Sequence, residues 1–132
     1  MIKFCSVLAC LFLFCCTSPQ TTEDDTITRP FTPGDAQQVI TIAPNRVFNI
    51  ELQSNPTTGY EWSLTMNPEG IISRKSKNYT SSASGRVGVG GIMSWSLASK
   101  KIGATTLTFK YHRPWEKDVE PTREVVFNIN VR

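Results

Sequence analysis

The chain has 132 residues, a formal net charge of +3 and 39% hydrophobic residues. That is one domain's worth of chain with one modest core, and its charge is too small and scattered to form the concentrated basic face of a nucleic-acid-binding domain. All four cysteines lie within the first 16 residues and the single histidine is His112, so residues 17–132 hold no Cys/His zinc site, cysteine nucleophile or disulfide framework.

The chain opens with a basic start, Met1-Ile2-Lys3, followed by an apolar run from Phe4 to Cys16 broken only by Ser6. As a helix this run rises about 20 Å, too short to cross a hydrocarbon core of roughly 30 Å. The pattern predicts a signal peptide over residues 1–16 and a secreted or exported protein. Two endings are open. Signal peptidase cuts near Cys16–Ser18, or Leu13-Phe14-Cys15-Cys16 acts as a degenerate lipobox and Cys16 is lipidated, tying the protein to a membrane. The bulk of Phe14 disfavours the second. An uncleaved short anchor is a third outcome.

Residues 17–36 are rich in Thr, Ser, Pro and acidic residues and poor in apolar ones. This composition predicts a disordered tether, because such a segment buries too little to offset its ordering entropy.

From Val39 onward apolar and polar residues alternate with period two. The runs are Ile40/Ile42, Phe48/Ile50/Leu52, Tyr60/Trp62/Leu64, Met93/Trp95/Leu97, Leu107/Phe109/Tyr111 and Val125/Phe127/Ile129/Val131. Turn chemistry separates them at Pro44-Asn45, Asn55-Pro56, Asn67-Pro68, Gly85, Gly88 to Gly91, Gly103 and Arg113-Pro114. The expectation is an all-β fold over residues 37–132: an antiparallel two-sheet sandwich of about seven strands.

Catalytic groups are sparse. His112 shares the wet face of its strand with Lys110 and reads as a surface histidine, not as the base of a nucleophile pair. Glu51 and Glu61 face outward and read as solvated charge. Gly88 to Gly91 lacks the Lys-Ser/Thr and the following helix of a phosphate loop. Asn78-Tyr79-Thr80 is a glycosylation sequon, relevant only to a eukaryotic secreted protein. No enzyme activity and no cofactor are expected.

Three loops combine conformational devices with contact residues. In Asn55-Pro56-Thr57-Thr58-Gly59-Tyr60, Pro56 sets φ and Gly59 permits a positive one, with two small hydroxyl residues at the tip. In the second loop Gly88, Gly90 and Gly91 allow close backbone approach. In the third, Arg113-Pro114-Trp115 pairs two residue types common in binding hot spots, and Trp115 lies past the end of its strand's alternation. Each loop alone also reads as a plain connection. By these residues the chain reads as a non-catalytic binding module, such as a cell-surface adhesion module or a carbohydrate-binding module with Trp115 as its platform.

NPTTGY, a G-x-G-G stretch and RPW, in this order over residues 37–132, resemble the chagasin family of protein inhibitors of papain-like cysteine peptidases. The resemblance implies an immunoglobulin-like sandwich with the three loops at one end. It implies that Thr57 and Thr58 enter the peptidase cleft, that Gly90 and Gly91 pair backbone with the peptidase, and that Arg113 and Trp115 pack on the opposite rim. The implied partner is a papain-like cysteine peptidase, and the implied mechanism is reversible and competitive. The inhibitor itself is expected to be a monomer.

Overall fold

The computed structural model describes residues 25–82 and 88–132. Signal-peptide residues 1–16, including Cys16, and residues 17–24 of the expected tether lie outside the described residues, as does the turn glycine Gly85.

The period-two runs become strands. Residues Val39–Ile42 form β1, Val47–Ser54 β2, Glu61–Asn67 β3, Ile72–Ser81 β4, Gly91–Ser99 β5, Gly103–His112 β6 and Arg123–Val131 β7. They build two sheets, ordered β1-β7-β6-β3 and β2-β5-β4. The alternating residues face each other across the gap. Phe48, Ile50 and Leu52 from one sheet meet Leu107, Phe109 and Phe127 from the other, all without exposed surface. Trp95, Phe109 and Phe127 interlock edge to face, with ring centroids 5.5 and 5.8 Å apart. The all-β sandwich of seven strands is therefore as expected.

Two expectations need correction, and one strand carried no sequence signal. First, the sandwich is not antiparallel throughout. Strand β1 pairs parallel with β7, from Val39 opposite Asn128 to Ile42 opposite Val131. The short turn after β1 carries the chain to the other sheet, so β1 lies beside the C-terminal strand and not beside β2.

Strand β4 gave no alternating signal, yet it is ten residues long. A register shift between Arg74 and Ser76 breaks its periodicity. This edge strand presents cations inward at the sandwich margin. Arg74 and Lys77 lie over the Trp95 ring at 5.8 and 4.8 Å, and Lys77 Nζ donates to the Trp62 carbonyl of β3 at 3.2 Å. Such inward charges on an edge discourage pairing with another sheet.

Second, residues 25–36 are not a free tether. They run beside β2 as a strap. Val47 N–H donates to the Asp25 carbonyl, Ile27 N–H to the Val47 carbonyl, Phe31 N–H to the Asn49 carbonyl and Glu51 N–H to the Phe31 carbonyl, at 2.7–2.9 Å. The Phe31 ring packs edge-on against Phe48 at 5.9 Å. Composition misled here because two apolar residues, Ile27 and Phe31, together with a sheet edge, suffice to order the segment. Pro33, which has no N–H, ends the ladder and opens the 3-10 turn Pro33–Gln37.

Asp35 locks that turn. Its carboxylate accepts from Arg29 Nη2 at 2.6 Å and from Thr32 N–H at 2.9 Å. Arg29 and the Thr32 amide hold the Asp35 carboxyl down at about 2, from an ordinary value of 3.8. A depressed carboxyl stabilises the fold above its unfolded value and loses that contribution as pH falls through the folded one. The melting difference between wild type and Asp35→Asn is therefore expected to be steady from neutral pH down to about 4, and to vanish toward about pH 2. A difference that stayed constant across that range would show that Asp35 acts without its charge.

Candidate functional site

Strand directions bring the three loops to one end. Ser54, Gly91 and Ser81 stand side by side in one sheet. Glu61 pairs with His112, and Tyr111 with Arg123, in the other. Loop 55–60 therefore leaves β2 for β3 beside the described parts of the β4–β5 connection, Ser82 and Gly88 to Gly90, and beside loop 113–122. Its backbone is joined to the second sheet by Asn55 N–H, which donates to the Tyr111 hydroxyl at 2.9 Å.

Asn55 organises the first loop. Its Oδ1 accepts from Thr57 Oγ1 at 2.6 Å, and its carbonyl accepts from Thr58 Oγ1 at 2.6 Å and from Thr58 N–H at 3.2 Å. Its Nδ2 donates to the Gly88 carbonyl at 2.9 Å, tying the second loop to the first. Pro56 starts the 3-10 turn Pro56–Thr58, which closes on Gly59 at φ 78°. Thr57 and Thr58 are exposed at the tip, as expected. Both hydroxyl protons, however, are donated within the loop. Their hydroxyls shape the tip before any partner arrives.

The third loop is tied to the first through Arg113. Glu116 N–H donates to the Arg113 carbonyl at 3.1 Å, closing a turn with Pro114 at its second position. The Arg113 guanidinium lies over the Tyr60 ring at 4.5 Å, donates from Nε to the Thr58 carbonyl at 3.4 Å and pairs with Glu116 at 3.3 Å. Trp115 is 65% exposed, on the loop as expected. Its indole lies against Gly59, where an added Cβ would sit 2.3 Å from the ring.

The glycine stretch divides in two. Gly88 is exposed with φ 87° and offers its carbonyl to Asn55. Gly91 belongs to the central strand β5, paired with Ser54 on one side and Ser81 on the other, and a Cβ there would lie 2.1 Å from the Thr80 carbonyl oxygen. Gly90 accepts from Ser82 N–H at 3.4 Å, and a Cβ would lie 2.9 Å from the Ser54 carbonyl oxygen. Gly91 is thus a packing glycine with no open edge, contrary to the expectation that it lends its backbone to a partner. Gly88, Val89 and Gly90 carry the outward part of this loop.

The sequence places Tyr111 in the apolar run of its strand, but gave neither it nor Arg123 a part in the site. Tyr111 is buried, stacked under Tyr60 at 5.3 Å and beside Trp62 at 4.8 Å. Arg123 covers Tyr111 at 4.4 Å and donates to the Gln53 carbonyl at 3.2 Å. The available signal was the choice of Tyr over Phe at an inward strand end, since a buried phenol needs a partner. Tyr111→Phe leaves Asn55 N–H without its acceptor. It is expected to weaken binding through this end by roughly 5- to 30-fold, from about 1–2 kcal/mol, while the core keeps its shape. Binding and melting measured together check this, and unchanged binding would show that the loop holds its form without the phenol.

His112 shares a hydrogen bond with Ser63 Oγ at 3.1 Å on the sheet's outer face, a satisfied surface histidine as expected. Three interlocked loops, built from backbone constraints and aromatic packing, form a surface that recognises by shape. This is the class of loop-presenting binding proteins on a β-sandwich.

Comparison with known proteins narrows the class. Residues 41–131 match the family model described as chagasin family peptidase inhibitor I42. The chain belongs to the chagasin family; it is an inhibitor-family protein and not an enzyme. It is 34% identical over 92 residues to Amoebiasin-2 of Entamoeba histolytica, covering 69% of this chain and 75% of that protein. The crystal structure of a cysteine protease inhibitor from Entamoeba histolytica superposes with a TM-score of 0.69 at 28% identity, over 79% of this chain and 94% of that one. The solution structure of Amebosin gives 0.63 at 27% identity, over 78% and 96% of the two chains. A similar fold, at TM-score 0.52 and 19% identity over 80% of this chain and 91% of that one, occurs in PbICP-C in complex with falcipain-2. The strap residues 25–36 lie before the family match.

Proposed function

We propose that this chain is a reversible, tight-binding, competitive inhibitor of papain-like cysteine peptidases. Loop 55–60 enters the active-site cleft, with Gly88 to Gly90 on one side and Arg113 to Trp115 on the other. The observation that carries the reading is the mutual locking of the loops, through Asn55 to Gly88, Arg113 to Thr58 and Trp115 to Gly59. A pre-formed wedge loses little entropy on binding. No cysteine follows Cys16, so the inhibitory domain offers no thiol to exchange at a thiol active site. Thr57 and Thr58, small and already hydrogen-bonded, present a compact tip to a narrow cleft.

Titration of papain tests this. Activity should fall stoichiometrically, recover on dilution, and need more inhibitor as substrate rises. Thr58→Arg should abolish the effect, since the added side chain clashes at the tip. Undiminished papain activity at excess protein, or equal inhibition by Thr58→Arg, would sink the reading.

Residues 1–16 support export, with Cys16 as the candidate lipid attachment point. Mass spectrometry of the mature amino terminus separates cleavage beyond Cys16 from lipidation at it.

A further inference from the structure

The end of the sandwich opposite the loops has its own character. Asn45 N–H donates to the Ser99 carbonyl, Lys100 N–H to the Ile71 carbonyl and Arg132 N–H to the Ile42 carbonyl. These bonds gather the β1–β2, β3–β4 and β5–β6 turns and the end of β7 at one place. Ten-residue β6 sets it about 30 Å from the loops.

That end is basic. Arg46, Arg74, Lys75, Lys100, Lys101 and Arg132 lie on it or within the first turns of strand beside it, against only Asp25 and Glu69 among the described residues. The remaining described residues carry six Lys or Arg and seven Asp or Glu. Among the described residues the excess positive charge is therefore concentrated at this end, with Glu23-Asp24 preceding Asp25 in the sequence. Lys100, Lys101 and Arg132 are exposed, and Ile102 protrudes beside the lysines at 73% exposure. An exposed branched aliphatic at the tip of a cationic turn is poorly placed for water. It suits an interface that is anionic outside and apolar just beneath.

We propose that this end docks on an anionic lipid bilayer and holds the three loops away from the membrane. Charge complementarity favours it, since each Lys or Arg near an anionic leaflet strengthens attachment by about fivefold. Ile102 can reach the headgroup–acyl boundary. The strap gives a second, independent argument. Its first described residue, Asp25, pairs with Val47 at this same end, so the chain enters the domain on the side that would face the lipid, and a lipid attached at Cys16 would precede it by only residues 17–24. A soluble polyanion would use the same cations but would leave Ile102 without a role.

The test is co-sedimentation of the mature protein, without the signal peptide, with phosphatidylcholine vesicles, with and without about a third phosphatidylserine. Tighter binding to the anionic vesicles by about tenfold or more, lost in about 0.5 M salt, is the expected result. Lys100→Glu/Lys101→Glu should cut the phosphatidylserine-dependent part by at least about 25-fold while papain inhibition stays unchanged. If that variant fails to fold, Lys75→Glu/Arg132→Glu makes the same test from other strands. Equal binding to both lipids would overturn the proposal. So would undiminished phosphatidylserine binding by the charge-reversed protein, or capture by heparin without capture by vesicles. Because inhibition is read separately, loss of docking and loss of the inhibitor function are distinguishable.

Discussion

Replacing Trp115 by alanine weakens inhibition of a papain-like peptidase by about 30- to 1,000-fold, the 2–4 kcal/mol of a central hot spot. The melting temperature barely moves, because the side chain is 65% exposed and its removal opens no core cavity. Part of the loss is direct, from a large rigid contact surface. Part is indirect, because the indole rests on Gly59 and braces the first loop against the third. Inhibition constants and thermal melts for the one variant check both halves. Inhibition equal to wild type would remove Trp115 from the binding surface, and an unfolded variant would make it part of the core.

Gly59→Val is the second large effect and separates those two contributions. At φ 78° an L-residue carries a backbone penalty of roughly 1–2 kcal/mol, more when β-branched, and here the new Cβ must also expel an indole 2.3 Å away. Affinity should fall by about 100-fold or more, with a drop of several degrees in melting temperature. In the Trp115→Ala background the clash is gone and only the backbone strain remains. The added loss from Gly59→Val should then shrink, with a coupling of roughly 1–3 kcal/mol between the sites. Full additivity would mean that the indole does not brace the loop.

Much of the site was readable as a set of segments. Pro56 with Gly59, and Pro114 after Arg113, are local devices whose effect on φ needs no distant partner, and both turns formed where they stand in the chain. The links between the loops were not readable. Asn55 to Gly88 spans 33 residues, and Tyr111 to Asn55 spans 56. Such pairs depend on which strands become neighbours. Gly91 shows the reverse error. Its absent side chain suggested an open backbone, whereas the third strand of its sheet fills the space a Cβ would need.

By itself the sequence determined the fold class, the extents of the alternating strands and the three loops that matter, because period-two burial and Pro/Gly backbone limits are local properties. It also carried the family motifs. Only the tertiary structure decided that β1 lies parallel to β7, that polar β4 completes a sheet, and that residues 25–36 are a strap. Each of these is a contact with an edge supplied by a distant segment, and hydrogen bonds to an edge ask little of the side chains that meet it. The same reason placed the scattered cations of six separate positions at one end, opposite the loops.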